Sequence, residues 1–274
     1  MSPDLLFLLS LAVKMAVTAL FVVGAVYSAE RAGPVVGAMV ATLPISAGPA
    51  YIFLSLEHGP AFIADSALAS LVVNAANCVF ALVYTLMAQR RGLMLSVGPA
   101  LAAWAAVASL SRALPWTTAW AFAFNVVVLA ACLAIGNRLR HARMPLVTRR
   151  WYDIPLRACM VALLVATVVG LSTRVGPTIT GMLAVFPIVL LSLMLILHPR
   201  IGGPATGAVL SNSMLGLVGF SLTCLTARLV VVPLGTAAGL SFALAVSIGC
   251  NFAFWWVRRA RPLRITTASS SPSA

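Results

Sequence analysis

Runs of about 20 apolar residues follow one another along the whole chain, separated by Gly-Pro pairs and arginine clusters, and a run of that length is what an α-helix needs to cross a bilayer. Nine runs are read as spans: 5–27, 35–56, 62–88, 93–110, 116–135, 154–172, 178–197, 204–227 and 229–257. Ser111-Arg112-Ala113-Leu114-Pro115 divides the fourth from the fifth, because a single helix would have to carry that segment through lipid. The composition agrees. With 62% hydrophobic residues, 18 basic and 5 acidic side chains in 274 residues, the chain lacks the polar shell of a soluble fold. The first run is read as a helix rather than a cleaved signal peptide, since it has no basic n-region and carries Asp4 and Lys14.

The net charge of +13 would suggest nucleic acid in a soluble protein, but these arginines sit between apolar runs, where they set topology; no nucleic acid is expected. Arg138, Arg140, Arg143, Arg149 and Arg150 lie in the connector 136–153, and Arg258, Arg259, Arg261 and Arg264 at the C-terminus. Both regions are expected on the cytoplasmic side, and the four spans between them return the chain to that side. Counting back places Arg90 and Arg91 inside and the N-terminus outside. Only Arg112, Arg174 and Arg228 then fall in outer loops. The expected location is a bacterial inner (cytoplasmic) membrane, multi-pass. The Ser/Thr-rich tail 259–274 is expected to be disordered.

The chain also repeats itself. At an offset of 143, residues 14–45 align with 157–188 without a gap, with 11 identities in 32 positions. Arg31-Ala32-Gly33-Pro34 matches Arg174-Val175-Gly176-Pro177, Pro44-Ile45 matches Pro187-Ile188, and Lys14 pairs with Arg157. One residue of slippage later, Gly59-Pro60 matches Gly203-Pro204, each placed to open the next helix. Two four-helix repeats are therefore expected, 1–110 and 154–258, with 111–135 as a spacer helix and 136–153 as a basic cytoplasmic connector. An odd number of spans between the repeats inverts the second against the first. Inverted repeats recur in secondary transporters, with the solute site near the midplane where the repeats meet; duplication kept only for packing is the competing explanation.

Val36-Gly37-Ala38-Met39-Val40-Ala41-Thr42-Leu43-Pro44, followed by Ser55-Leu56-Glu57-His58-Gly59-Pro60, resembles the GlpM-type small four-helix membrane proteins of bacteria. Each half looks like one such protein; in the second half the likeness rests on Gly181-Met182-Leu183-Ala184-Val185-Phe186-Pro187. The second half departs from the pattern by having Arg200 at the position of Glu57. The resemblance implies an architecture and a bacterial membrane, and no activity.

Pro44, Pro49 and Pro187 interrupt the second helix of each half, and each frees a backbone carbonyl that lipid cannot satisfy. Such breaks build solute sites or serve as packing kinks. Lys14 and Arg157 lie within spans, where they meet a solute or partner, or snorkel to the interface. Asp65 is the acid inside a span, either a proton-coupling site or a carboxylate in shallow water near a helix start. Asn74 and Asn77 share a helix face and are candidates for solute contact; Asn125, Asn212 and Asn251 add polar points that interhelical hydrogen bonding explains.

The five cysteines show no Cys-x-x-Cys pair, the histidines are scattered, and no nucleophile, metal or phosphate-binding motif is present, so an enzyme, a metal and a cofactor are not expected. The reading is a small-solute permease with alternating access between inverted repeats, its solute unknown and homo-oligomerisation left open. The alternative is a non-transporting membrane scaffold or assembly subunit.

Overall fold

The computed structural model describes residues 3–31, 46–139 and 150–259. Their regular structure is helical: α1 (Pro3–Arg31), α2 (Ala47–Glu57), α3 (Pro60–Met87), α4 (Leu93–Ser111), α5 (Thr118–Gly136), α6 (Asp153–Ala184), α7 (Ile188–Leu234) and α8 (Thr236–Arg259), with a 3-10 turn at Asn137–Leu139. Six of these helices are long and apolar enough to cross a membrane. Large apolar side chains cover the outside, among them Leu20, Leu56, Met94, Trp120, Val127, Leu229 and Phe242. A continuous apolar exterior has lipid as its solvent, and the chain is a multi-pass α-helical membrane protein.

The helix ends follow local chemistry. Gly59 is extended and Pro60 takes the first turn of α3, where its missing N–H costs nothing. The Thr117 hydroxyl accepts from the Trp120 amide at 3.3 Å and opens α5. Gly176 (φ 74°) and Gly202 (φ 79°) adopt left-handed conformations inside α6 and α7, and glycine does so without a Cβ clash. Each glycine divides its helix, so α6 is two segments, 153–175 and 177–184, and α7 is 188–201 and 203–234. The second copy of the Arg-x-Gly-Pro motif is thus a reversal: Gly176 turns the chain and Pro177 starts the next segment.

Side-chain contacts fix the direction of each segment. At one end of the molecule Lys14 of α1 pairs with Glu57 at the end of α2, and the neighbouring His58 bonds Ser172 of α6 at 2.8 Å. At the other end Arg200 pairs with Asp153, and Tyr84 of α3 bonds His198 at 2.6 Å. Helix α3 runs from the Glu57 end to the Arg200 end. Residues 177–201 run beside it in the same direction, meeting it in the order Ser66–Pro177, Ser70–Gly181, Asn77–Val185 and Tyr84–His198. Residues 203–234 return antiparallel to it, with Gly203 against Ala88, Gly207 against Thr85 and Leu217 against Asn74. Helix α3 is the axis of the molecule: 83% of its apolar window is buried, against 22% for Leu93–Ser111.

Expected spans 62–88, 93–110 and 116–135 fall on α3, α4 and α5, and 154–172 on the first segment of α6. The interruption expected at Pro187 appears within the run 178–197, which is broken at Val185–Phe186–Pro187, where α6 ends and Pro187, which cannot donate an N–H, precedes α7. Two expectations need correcting. The run 229–257 is divided at Gly235 (φ 81°), so its first residues, with Pro233, finish α7 and α8 begins at Thr236. Arg228, expected in an outer loop, lies within α7. Gly33, Pro34 and Pro44 lie outside the described residues, as do 140–149 and the tail from 260.

Candidate polar site on the central helix

Four polar residues of α3, Ser66, Ser70, Asn74 and Asn77, recur at helical spacing and form a single column. All four are buried. In an apolar span each must find a partner, and their partners are mostly backbone carbonyls of the broken segment beside them. The Ser66 hydroxyl donates to the Pro177 carbonyl at 3.1 Å and that of Ser70 to Gly181 at 2.7 Å. Since the Ser70 proton is used there, the Tyr51 hydroxyl donates to Ser70, at 2.7 Å. The approach is close because Gly181 has no side chain; a Cβ there would overlap the Ser66 carbonyl.

The break itself is held by Asn77. Its amide donates to the Val185 carbonyl at 2.8 Å, and its oxygen accepts from the Trp104 indole of α4 at 2.8 Å. Trp104 also packs edge-on against Phe186, ring centroids 5.0 Å apart. One turn earlier, Asn74 donates to the Leu217 carbonyl and the Ser221 hydroxyl, both at 2.9 Å. Ser221 passes its proton to the Asn125 oxygen at 2.6 Å, and the Asn125 amide donates to the Leu71 carbonyl at 2.6 Å. This chain ties α3, α5 and α7 together at mid-depth. One atom is left over: the Asn74 Oδ1 is buried and accepts no hydrogen bond.

Among the described residues, the ion pairs lie toward the two ends. Lys14 and Glu57 form one pair, with side chains 16% and 31% exposed. At the other end the Arg200 guanidinium takes both Asp153 oxygens, at 2.8 and 2.5 Å, a two-pronged geometry that a lysine does not offer. The polarity is exchanged between the halves. Glu57 and Arg200 are 143 residues apart, so where the first half has lysine on its long helix and acid on its short one, the second has acid on the long helix and arginine on the short one. Arg157, the counterpart of Lys14, does not make the pair; its Nε is buried without a hydrogen bond. Just before α6, exposed Trp151 and half-buried Tyr152 form an interfacial aromatic pair. The hydrogen bond from Arg150, 2.9 Å away, and then the Arg200 guanidinium hold the Tyr152 phenol below the usual tyrosine range.

The structure thus brings Asn74, Asn77 and the Pro187 break together and puts Lys14 at one end, away from them. Pro49 is buried within α2. Asp65 is about half exposed and bonds Arg228 at 2.6 Å near the Glu57 end. Arg174 and the Gly176-Pro177 turn lie at that same end. Ser66, Ser70, Tyr51, Trp104 and the Asp153–Arg200 pair were not singled out from the sequence. The two serines lie one and two turns before Asn74 and were legible as an extension of its face. Among the described residues no group of three or more His, Cys, Asp or Glu side chains is placed to hold a metal ion. No family model, curated protein or solved structure matches the chain.

Proposed function

We propose that the chain is a small-solute permease of a bacterial cytoplasmic membrane, built from two inverted halves derived from a GlpM-like unit, nine passes in all, with the Arg200 end facing the cytoplasm. The observation that carries this reading is the crossing at Asn74 and Leu217. With the one-residue slip at Pro60–Pro204 the counterpart of Asn74 is Val218, so Asn74 bonds the residue next to its own counterpart, on an oppositely directed helix. A pseudo-two-fold axis in the membrane plane produces such a crossing, because each helix meets its own counterpart close to the counterpart residue. Beside the crossing lies a broken helix with its freed carbonyls, the element from which transporters make midplane sites.

Alternating access then works between the two charged ends. Lys14–Glu57 closes one side and Asp153–Arg200 the other, and opening either exposes the Asn74–Asn77 column to that side. The free Asn74 oxygen is the acceptor for a hydrogen-bond donor of the solute. Because the column holds no ionisable group and Asp65 is occupied by Arg228 near one end, the reading favours facilitated diffusion over proton coupling. One observation favours the competing reading of a non-transporting scaffold: apart from the Asn74 oxygen, the amides of the column are taken by protein partners.

Purified protein in sealed vesicles, tested with neutral and charged small solutes by light scattering, separates the two. Permeation faster than in protein-free vesicles, and lost in Asn74→Leu, supports the permease. No solute-dependent difference for any solute class supports the scaffold.

A further inference from the structure

A cavity of about 110 Å³ lies between α2, α3, α7 and α8, away from the polar column and separated from it by Tyr51 and Ala67. It lies toward the Glu57 end, since its lower wall, Ala227, adjoins the Arg228 that bonds Asp65. Its lining carries no charged side chain. Its hydroxyls are used within the protein, Tyr51 by Ser70 and Thr223 by the Gly219 carbonyl at 3.0 Å. Nothing in it asks for a polar ligand. Two lining residues, Ile52 and Leu244, are also about half exposed on the apolar exterior, so the cavity opens sideways where lipid lies.

The repeat shows what the same place looks like when it is closed. Continuing the 143-residue offset from Pro44–Pro187, Ala47 stands for Leu190; with the one-residue slip at Pro60–Pro204, Cys224 stands for Phe80 and Ala227 for Val83. Leu190, Phe80 and Val83 belong to a packed cluster at the repeat-related place that also holds Met194, the counterpart of Tyr51. Where that place has a leucine, a phenylalanine and a valine, the cavity has two alanines and a cysteine. Phe220, standing for Ala76, adds a ring to the wall, yet the space stays open. An interior gap of this size that is neither packed nor polar forfeits dispersion contacts unless an apolar molecule fills it.

We propose that this cavity is a binding site for one acyl chain of a membrane lipid, entering between α2 and α8 from the leaflet at the Glu57 end. The chain replaces the contacts that Leu190, Phe80 and Val83 make at the repeat-related place, and its headgroup stays at the interface. This inference does not depend on transport.

The test uses the full-length protein in phosphatidylcholine vesicles containing a phosphatidylcholine with a photoreactive diazirine near the end of one acyl chain, with adducts mapped by peptide mass spectrometry. Adducts should concentrate on the α7 and α8 stretches that hold Cys224, Ala227 and Leu244. They should be lost in the double variant C224F/A227V, which restores the counterpart residues, while labelling of outward-facing Trp120 and Val127 persists. Ala47→Leu should give the same loss, and serves alone if the double variant does not fold. Labelling unaffected by the filling substitutions, or spread evenly over the exterior with no enrichment at the cavity, overturns the proposal.

Discussion

The Asn74 amide donates to the carbonyl of Leu217 at 2.9 Å across two antiparallel helices. The contact sits at the middle of a buried polar column whose other members, Ser66, Ser70 and Asn77, brace the broken segment beside α3. The packing around it is tight enough that single atoms decide whether the halves meet.

Asn77 should be the most stabilising of the buried amides at the break. Replacing it with leucine leaves the Val185 carbonyl and the Trp104 indole N–H without partners in an apolar interior. The expected loss is about 1–2 kcal/mol, given the modest values found for such bonds in bilayers. Asn212→Leu removes only a bond to the Ala208 carbonyl of its own helix and should change little. Thermal or denaturant unfolding in detergent, compared at matched purity, reads the difference.

Gly181 and Gly203 should tolerate no side chain. A methyl group at either would overlap the backbone carbonyl of Ser66 or Ala88, which cannot swing away. Alanine at each should cost about 1–3 kcal/mol or more through forced backbone shifts. Gly98→Ala, with nothing within 4 Å of the added carbon, should be neutral or gain up to about 1 kcal/mol from helix propensity. Size-exclusion profiles and melting of the three variants check the order.

The terminal ion pairs should behave as coupled units. Lys14→Glu and Glu57→Lys should each impair folding or flux, and the double exchange should restore it, because the pair is rebuilt with its polarity reversed. The coupling measured by a double-mutant cycle should be larger for Asp153 and Arg200, whose contact is two-pronged and whose side chains are only 15% and 13% exposed. A stronger coupling at Lys14–Glu57 would go against this account.

Much of the fold was legible in the chain. Helix lengths follow the apolar runs because lipid permits little else, and the Gly-Pro and Gly-Gly-Pro signals mark the reversals at Gly176 and Gly202. The column was half visible, since Asn74 and Asn77 stand out in an apolar helix while serines do not. The break at Val185–Pro187 was legible from Pro187, but what holds it was not: hydropathy runs through it unchanged, and the hydrogen bond from Asn77 and the ring of Phe186 against Trp104 arise only in the fold. The Asp153–Arg200 pair was hidden for a different reason. The acid lies one turn before Arg157, out of the register of the repeat, and pairs with a residue 47 positions away that matches Glu57 in place but opposes it in charge.

The central claim is that the halves are inverted across the bilayer, and thiol accessibility in vesicles of known orientation tests it most directly. In a cysteine-free background, Arg31→Cys and Arg174→Cys place single thiols at the matched positions of the two motifs. A membrane-impermeant thiol reagent added to one face should label one of them, and added to the other face should label the other, with Arg174→Cys on the outer side. Labelling of both thiols from the same face would make the repeats parallel and contradict the account.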